Sequence, residues 1–357
     1  MDYVKPSYLF FMTFMIQGSL ILIVQLPHFL ANYFGYNGWL AVPIISLLVL
    51  CHIGLIYLVY RLGHGESIFT IIEKSIPVPI FKLVYILLSF FWAGYAIFIL
   101  KQYLFIVKFL YYPELNIHWL MYVTLFLVIY LVVSGILSIV HTITILFFIL
   151  IFITMALVYF VPYFSILELT NFFFAEHHQW LKGAFDIYVS FLGFEVVIFF
   201  FPYLEKGKKV FRYVVYGHLF TTLIYTIIAL ISFSFNSLEQ LRIQVYPIIN
   251  LLQYIEFEFV ERVDSLFFLL LFLRVFTTVT MYIWIGMETC QRVFRLKSMY
   301  WAFILTSLGY VMTLPILNRF EINQYFSYLA VTQVAIAIAL PVLLIGLINY
   351  QRWRSLV

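Results

Sequence analysis

The feature that most limits the fold is a succession of long, nearly uncharged apolar runs, each about the 20 residues that a helix needs to cross a bilayer. They fall at 7–30, 39–60, 81–110, 117–137, 139–164, 182–203, 211–235, 265–285, 299–317 and 325–350. Barrel strands would be about ten residues long with alternating polarity, so continuous runs of this length specify helices. Composition agrees, since 65% hydrophobic and 10% charged residues cannot be arranged around one aqueous core. The expected fold class is an all-α polytopic membrane protein with ten transmembrane helices, forming one transmembrane domain over 1–357.

The first run follows Lys5. It is longer than a signal-peptide core and lacks a small-x-small cleavage site, so it is read as a retained span. The formal charge is +4, but Lys and Arg sit at the ends of apolar runs instead of forming a basic stripe, which sets nucleic acid aside as a partner. Cys51 and Cys290 lie in no CxxC or Cys/His pattern, so neither a disulfide framework nor a zinc site is expected. No Walker loop, GxGxxG in strand–helix context, HExxH or GxSxG occurs, and no enzyme chemistry or cofactor is expected. The 41 Phe and 28 Tyr are chiefly lipid-facing and interfacial filler.

Lys and Arg in short loops resist translocation and so set orientation. With the N-terminus inside, Lys5, Arg61, Lys74, Lys206, Lys208, Lys209, Arg212, Arg292, Arg295, Lys297, Arg352 and Arg354 are cytoplasmic, and Lys182, Arg242, Arg262 and Arg319 are opposite. Twelve against four places both termini in the cytoplasm.

Ten spans divide into two fives, and because five is odd the second set enters from the other side. A repeat built this way is inverted in the membrane, as in many transporters. The expected halves are about 7–164 and 182–350. Span 1 is interrupted by Gln17, Gly18 and Ser19, and span 6 by Leu192 and Gly193 beside Glu195. A broken helix frees backbone groups at mid-membrane, and its half-helix ends can hold a zwitterion; close helix packing is the alternative use of such small residues. Between spans 7 and 8, residues 236–264 are too polar to cross. Ile248, Leu251, Leu252, Ile255 and Phe259 share one helical face there, with Pro247 in the first turn, which predicts a short helix lying on the outer side of the bundle. In the 63–79 loop, Ile68, Ile71 and Ile72 form a similar set, read as an interfacial helix.

Glu195 is a carboxylate in mid-span, where a charge is costly unless it faces a cavity or a partner. Its two readings are a functional or gating group and one half of a buried ion pair with Lys101 or Arg274. Arg274 lies deep in span 8 and shares a face with Thr277, Thr278 and Met281, so that face is expected to look inward. The threonine hydroxyls serve a ligand or a broken-helix carbonyl, unless they bond back to their own helix. Lys101 and Lys108 share a face of span 3, with snorkelling to the outer interface as the alternative for both.

The stretches FLGFEVVIFFFPYLEK at 191–206, YPIINLLQYI at 246–255 and FVERVDSLF at 259–267, with Leu26-Pro27 and Gly38-Trp39 near the first span, resemble the spore germination permeases, the B subunits of endospore germinant receptors. That resemblance implies the amino acid–polyamine–organocation superfamily and a five-plus-five inverted repeat with a pocket bounded by spans 1, 3, 6 and 8. It also implies the inner membrane of the spore and assembly with a larger A subunit and a lipoprotein C subunit. Carried over by position, the ligand site draws on Gly18, Ser19, Tyr95, Leu192, Gly193, Thr277 and Thr278. Such first spans usually carry several glycines before Leu-Pro, whereas Leu20, Ile21 and Leu22 stand here.

Two functions follow: a subunit that binds a small germinant, an amino acid, and triggers germination, or a stand-alone amino acid transporter driven by protons or sodium. Span 5 carries His141, Thr142, Thr144 and Thr154 but no Lys, Asp or Glu, which favours sensing over ion coupling.

Overall fold

Uninterrupted apolar sequence can satisfy its backbone in lipid only by local hydrogen bonding, and helices account for nearly all of this chain. The computed structural model describes residues 3–18, 22–154, 174, 179–205, 209–253, 263–316 and 318–356. Fourteen α-helices occur among them, and no strand is present beyond an isolated bridge between Val4 and Leu204.

Span 1 is split into α1 (Tyr8–Ile16) and α2 (Leu22–Phe34). Next come α3 (Ala41–Leu62), the short α4 (Ile68–Ser75), α5 (Val78–Leu110), α6 (Ile117–Val133) and α7 (Ile136–Thr154). The last ten residues of the expected fifth span lie outside the described residues. Span 6 is α8 (Trp180–Ser190) continued, after a break, by a 3₁₀ helix at Phe194–Tyr203. Then follow α9 (Val210–Phe235), α10 (Leu238–Ile243), α11 (Pro247–Leu252), α12 (Val263–Gln291), α13 (Ser298–Thr313) and α14 (Arg319–Leu356). Each expected span thus has its helix, and among the described residues six elements (spans 2, 3, 6, 7, 8 and 10) are both long and apolar enough to cross a membrane on their own.

α5 and α12 lie side by side at the centre, with α1, the 3₁₀ segment and α13 against them. Tyr95 and Tyr282, both buried, meet across that seam, while Val331, Ile338, Val342 and Leu343 of α14 point outward as a lipid-facing helix requires. Both helical motifs expected in loops form. Ile68 and Ile71 of α4 are buried, as are Ile248, Leu251 and Leu252 of α11, whose first residue is Pro247; Ile255 and Phe259 fall outside the described residues. Ser237 and Gln240 close a reciprocal capping box on α10, satisfying two helix-end donors.

α14 shows how a proline is accommodated inside a span. Pro341 has no N–H, so the carbonyl of Ala337 loses its helical donor. His52 of α3 supplies one, its Nε2 lying 2.8 Å from that oxygen, and its other ring nitrogen meets the Tyr188 hydroxyl. A carbonyl accepts only, so Nε2 carries the proton and Nδ1 accepts from Tyr188.

Candidate functional site

The site is built from the two breaks, which face one another. α1 ends at Ile16, and Gly18 takes a left-handed backbone (φ 68°). A Cβ at Gly18 would lie 1.5 Å from the hydroxyl oxygen of Tyr225, so glycine is required there twice, by conformation and by space. Ser19 lies outside the described residues. α8 ends at Ser190, and Gly193 (φ 118°) takes a left-handed backbone before the 3₁₀ segment. Its missing Cβ would stand 2.7 Å from Ile16 and 3.1 Å from the Gln17 nitrogen.

Gln17 joins the breaks. Its fully buried side-chain Nε2 donates to the Phe191 carbonyl at 2.9 Å, at the end of α8, and lies 3.1 Å from His218 Nδ1. His218 Nε2 is 3.2 Å from the Ser46 carbonyl; the carbonyl fixes the proton on Nε2 and leaves Nδ1 to accept from Gln17.

The end of α1 leaves carbonyls with no helical donor. Arg274 of α12 fills that role: its guanidinium donates to the carbonyls of both Phe14 and Gln17 and stacks 4.6 Å from the Phe14 ring centroid. Thr278 adds a long contact of 3.5 Å to the Ile16 carbonyl. The positive charge therefore sits at the negative end of a half-helix dipole. Thr277 does not join it, because its hydroxyl donates to the Arg274 carbonyl at 2.8 Å. The inward face expected for α12 is real, with Arg274, Thr277, Thr278 and Met281 all buried, but only Arg274 and Thr278 reach the break.

Glu195 is also buried, and its partners are neutral. Oε2 accepts from the Gly193 N–H at 2.7 Å, and Oε1 from the Tyr282 hydroxyl at 2.7 Å and Gln333 Nε2 at 2.8 Å. The Tyr95 ring packs edge-on against Tyr282 at 5.1 Å. The expected ion pair with Lys101 or Arg274 does not form. Along α12 the residue level with Glu195 is Tyr282, and Arg274 is eight residues away, about 12 Å at the helical rise. Lys101 lies about 9 Å beyond Tyr95 on α5 by the same measure. Lys101 does not snorkel either: it is buried, and its Nζ donates to the Thr313 carbonyl at the end of α13, a cation on a helix C-terminus. The space beside the Glu195 cluster, between Trp92, Tyr282 and Gln333, is about 10 Å³, room for about one water. Gly193 thus packs against Ile16 and Gln17, next to Gly18, while Tyr95 stands against Tyr282 beside the closed space at Glu195.

Gln17, His218, Tyr282 and Gln333 were not among the expected site residues. The signal available for three of them was polarity within an apolar run, the same signal that marks Glu195.

This geometry can be set beside known proteins. The family described as "Spore germination protein" matches residues 3–323. The chain belongs to the spore germination protein family. Among relatives, spore germination protein GerQB of Bacillus cereus is 23% identical over 327 residues, covering 90% of this chain and 88% of the relative. Spore germination protein A2 of Bacillus subtilis (strain 168) is 25% identical over 166 residues, 46% of this chain and 45% of that protein. Among solved structures, Mhp1, a nucleobase-cation-symport-1 family transporter in a closed conformation with bromovinylhydantoin bound, superposes with a TM-score of 0.65 at 14% identity, over 95% of this chain and 78% of that one. The family's member here is thus a multi-pass membrane protein of permease or receptor type, with a five-plus-five inverted-repeat fold like that of the transporter Mhp1.

Proposed function

We propose that this chain is the membrane subunit of a spore germinant receptor, one that binds a small germinant, an amino acid, and signals its presence instead of accumulating it. In this reading it sits in the inner membrane of the spore with both termini cytoplasmic, and assembles with a larger A subunit and a lipoprotein C subunit. The germination proteins it is similar to support that setting.

The observation that carries the proposal is Arg274. Half-helix ends at mid-membrane are where broken-span transporters coordinate a coupling ion that arrives and leaves in each cycle. Here that end is occupied by a guanidinium tethered to α12. A tethered cation performs no gradient-driven work, whereas it holds a two-state bundle in one arrangement until a ligand with higher affinity for the other arrangement shifts the population. Gly18, Ser19, Tyr95, Leu192, Gly193, Thr277 and Thr278 are the proposed ligand site, reached when the breaks part, with Lys101, Glu195 and Arg274 holding the resting arrangement.

One observation favours a proton-coupled transporter: among the described residues Glu195 has neutral partners only, so no ion pair ties it down as a coupling group. Proteoliposomes containing the full chain decide between the two. Radiolabelled amino acid should bind saturably and show no accumulation under an imposed proton or sodium gradient; gradient-dependent accumulation would establish the transporter.

A further inference from the structure

Two cavities large enough for a small ligand lie not at the breaks but on the α11 side of them. One of about 510 Å³ and one of about 360 Å³ are each within the size range of small-molecule sites, and both are lined by Gln25 of α2 and Gln102 of α5. Gln102 keeps only 9% exposure, its Oε1 accepts no hydrogen bond from the protein, and among the described residues neither glutamine amide has a protein partner. A buried amide left this way costs free energy unless something else completes it.

The larger cavity adds charges of both signs. Lys182 and Asp186 are four residues apart on α8 and so share a face. Asp186 takes a hydrogen bond from the Tyr33 hydroxyl, and the Lys182 ammonium lies 5.6 Å from the Tyr33 ring centroid. Lys108 lines the smaller cavity. A carboxylate and an ammonium side by side suit a ligand that carries both opposite charges; a simple anion or cation would meet a like charge. The Glu195 cluster lies below: Ala330 lines the larger cavity and Gln333 is one turn further along α14. Gln102 is seven residues, about 10 Å, from Tyr95 on α5.

We infer that the two cavities form one vestibule that captures a zwitterionic α-amino acid before it reaches the breaks, with Asp186 receiving the α-ammonium, Lys182 the carboxylate, and the Gln25 and Gln102 amides completing its hydrogen bonds. This rests on the amino acid germinant reading and adds to it a first station, open while the breaks are closed.

The test is calorimetric titration of the full chain in lipid nanodiscs with the twenty protein L-amino acids, the best binder then being compared with its α-amide. Gln102→Leu and Asp186→Asn should each weaken binding about tenfold, as loss of a hydrogen bond to a charged group does, and the α-amide should bind at least as poorly. Trp353→Ala, exposed near the far end of α14, should leave this first binding step within about twofold. A second readout does not depend on those variants folding: Gln25→Cys should react with a charged thiol reagent more slowly when the same amino acid is bound, against the unsubstituted chain as background. Unchanged affinity in Gln102→Leu and Asp186→Asn would overturn the vestibule and leave the germinant reading standing. No binding of any amino acid to the unaltered chain would overturn both.

Discussion

Gln17 Nε2 donates to the Phe191 carbonyl at 2.9 Å, so a side chain at the end of one broken helix caps the end of the other. The two halves of the inverted repeat are joined at their breaks by this bond and by the Gln17–His218 contact. Gln17→Leu should leave the Phe191 carbonyl and His218 Nδ1 buried without a donor. The expected loss is about 2–4 kcal/mol, seen as a lower melting temperature of the full chain in detergent. A loss below about 0.5 kcal/mol would mean that the breaks are held apart from this bond.

Glu195 provides a test by coupling. The Tyr282 and Gln333 side chains touch it, while Lys101 and Arg274 are bonded to Thr313 and to the end of α1. Double-mutant cycles of Glu195→Gln with Tyr282→Phe or Gln333→Leu should give interaction energies of about 1 kcal/mol or more, and cycles with Lys101→Met or Arg274→Met should be additive within about 0.5 kcal/mol. Rescue of Glu195→Gln by Lys101→Met would restore the ion pair.

The α14 proline yields a suppressor. His52→Phe should destabilise the chain by about 1–3 kcal/mol, because the Ala337 carbonyl loses its donor. Adding Pro341→Ala supplies an N–H to the same oxygen and should return part of that loss, although Pro341→Ala in the unaltered chain removes nothing that His52 needs. Thermal melts of the four proteins read the cycle, and equal damage in single and double variants would contradict it.

Glu73 lies on α4, outside the spans. Burial raises its carboxyl above the usual range, with the positive charge of Arg292 opposing. An acid raised in the folded state contributes stability that is fully present below its unfolded value and is lost as pH rises through the folded one. The melting temperature should therefore fall as pH is raised from about 4 toward neutral, and Glu73→Gln should flatten that slope. An unchanged slope in the variant would assign it to other groups.

The ten spans, the two breaks and the inward face of α12 were readable because depth in a membrane is written as apolarity, and departures from it at Glu195, Arg274, Gly18 and Gly193 stand out. Partners were not readable. A helical repeat places a residue on a face but does not fix the level at which the neighbouring helix passes, and the Glu195 pairing turned on that level, Tyr282 standing where Arg274 had been expected. Lys101 was ambiguous for the same reason: the carbonyl it caps belongs to Thr313, 212 residues away. The 3₁₀ form of Phe194–Tyr203 and the closed packing around Gly193 depend on backbone geometry that apolar sequence does not record.

The most direct test of the central claim is the germination of spores carrying the chain, followed by the fall in optical density over a range of amino acid concentrations, in sodium and in potassium buffer, beside spores lacking the chain. An amino acid response that requires the chain and keeps the same half-maximal concentration in both buffers is the predicted result, because Arg274 already occupies the half-helix end. A response that survives loss of the chain, or that collapses without sodium, would contradict it.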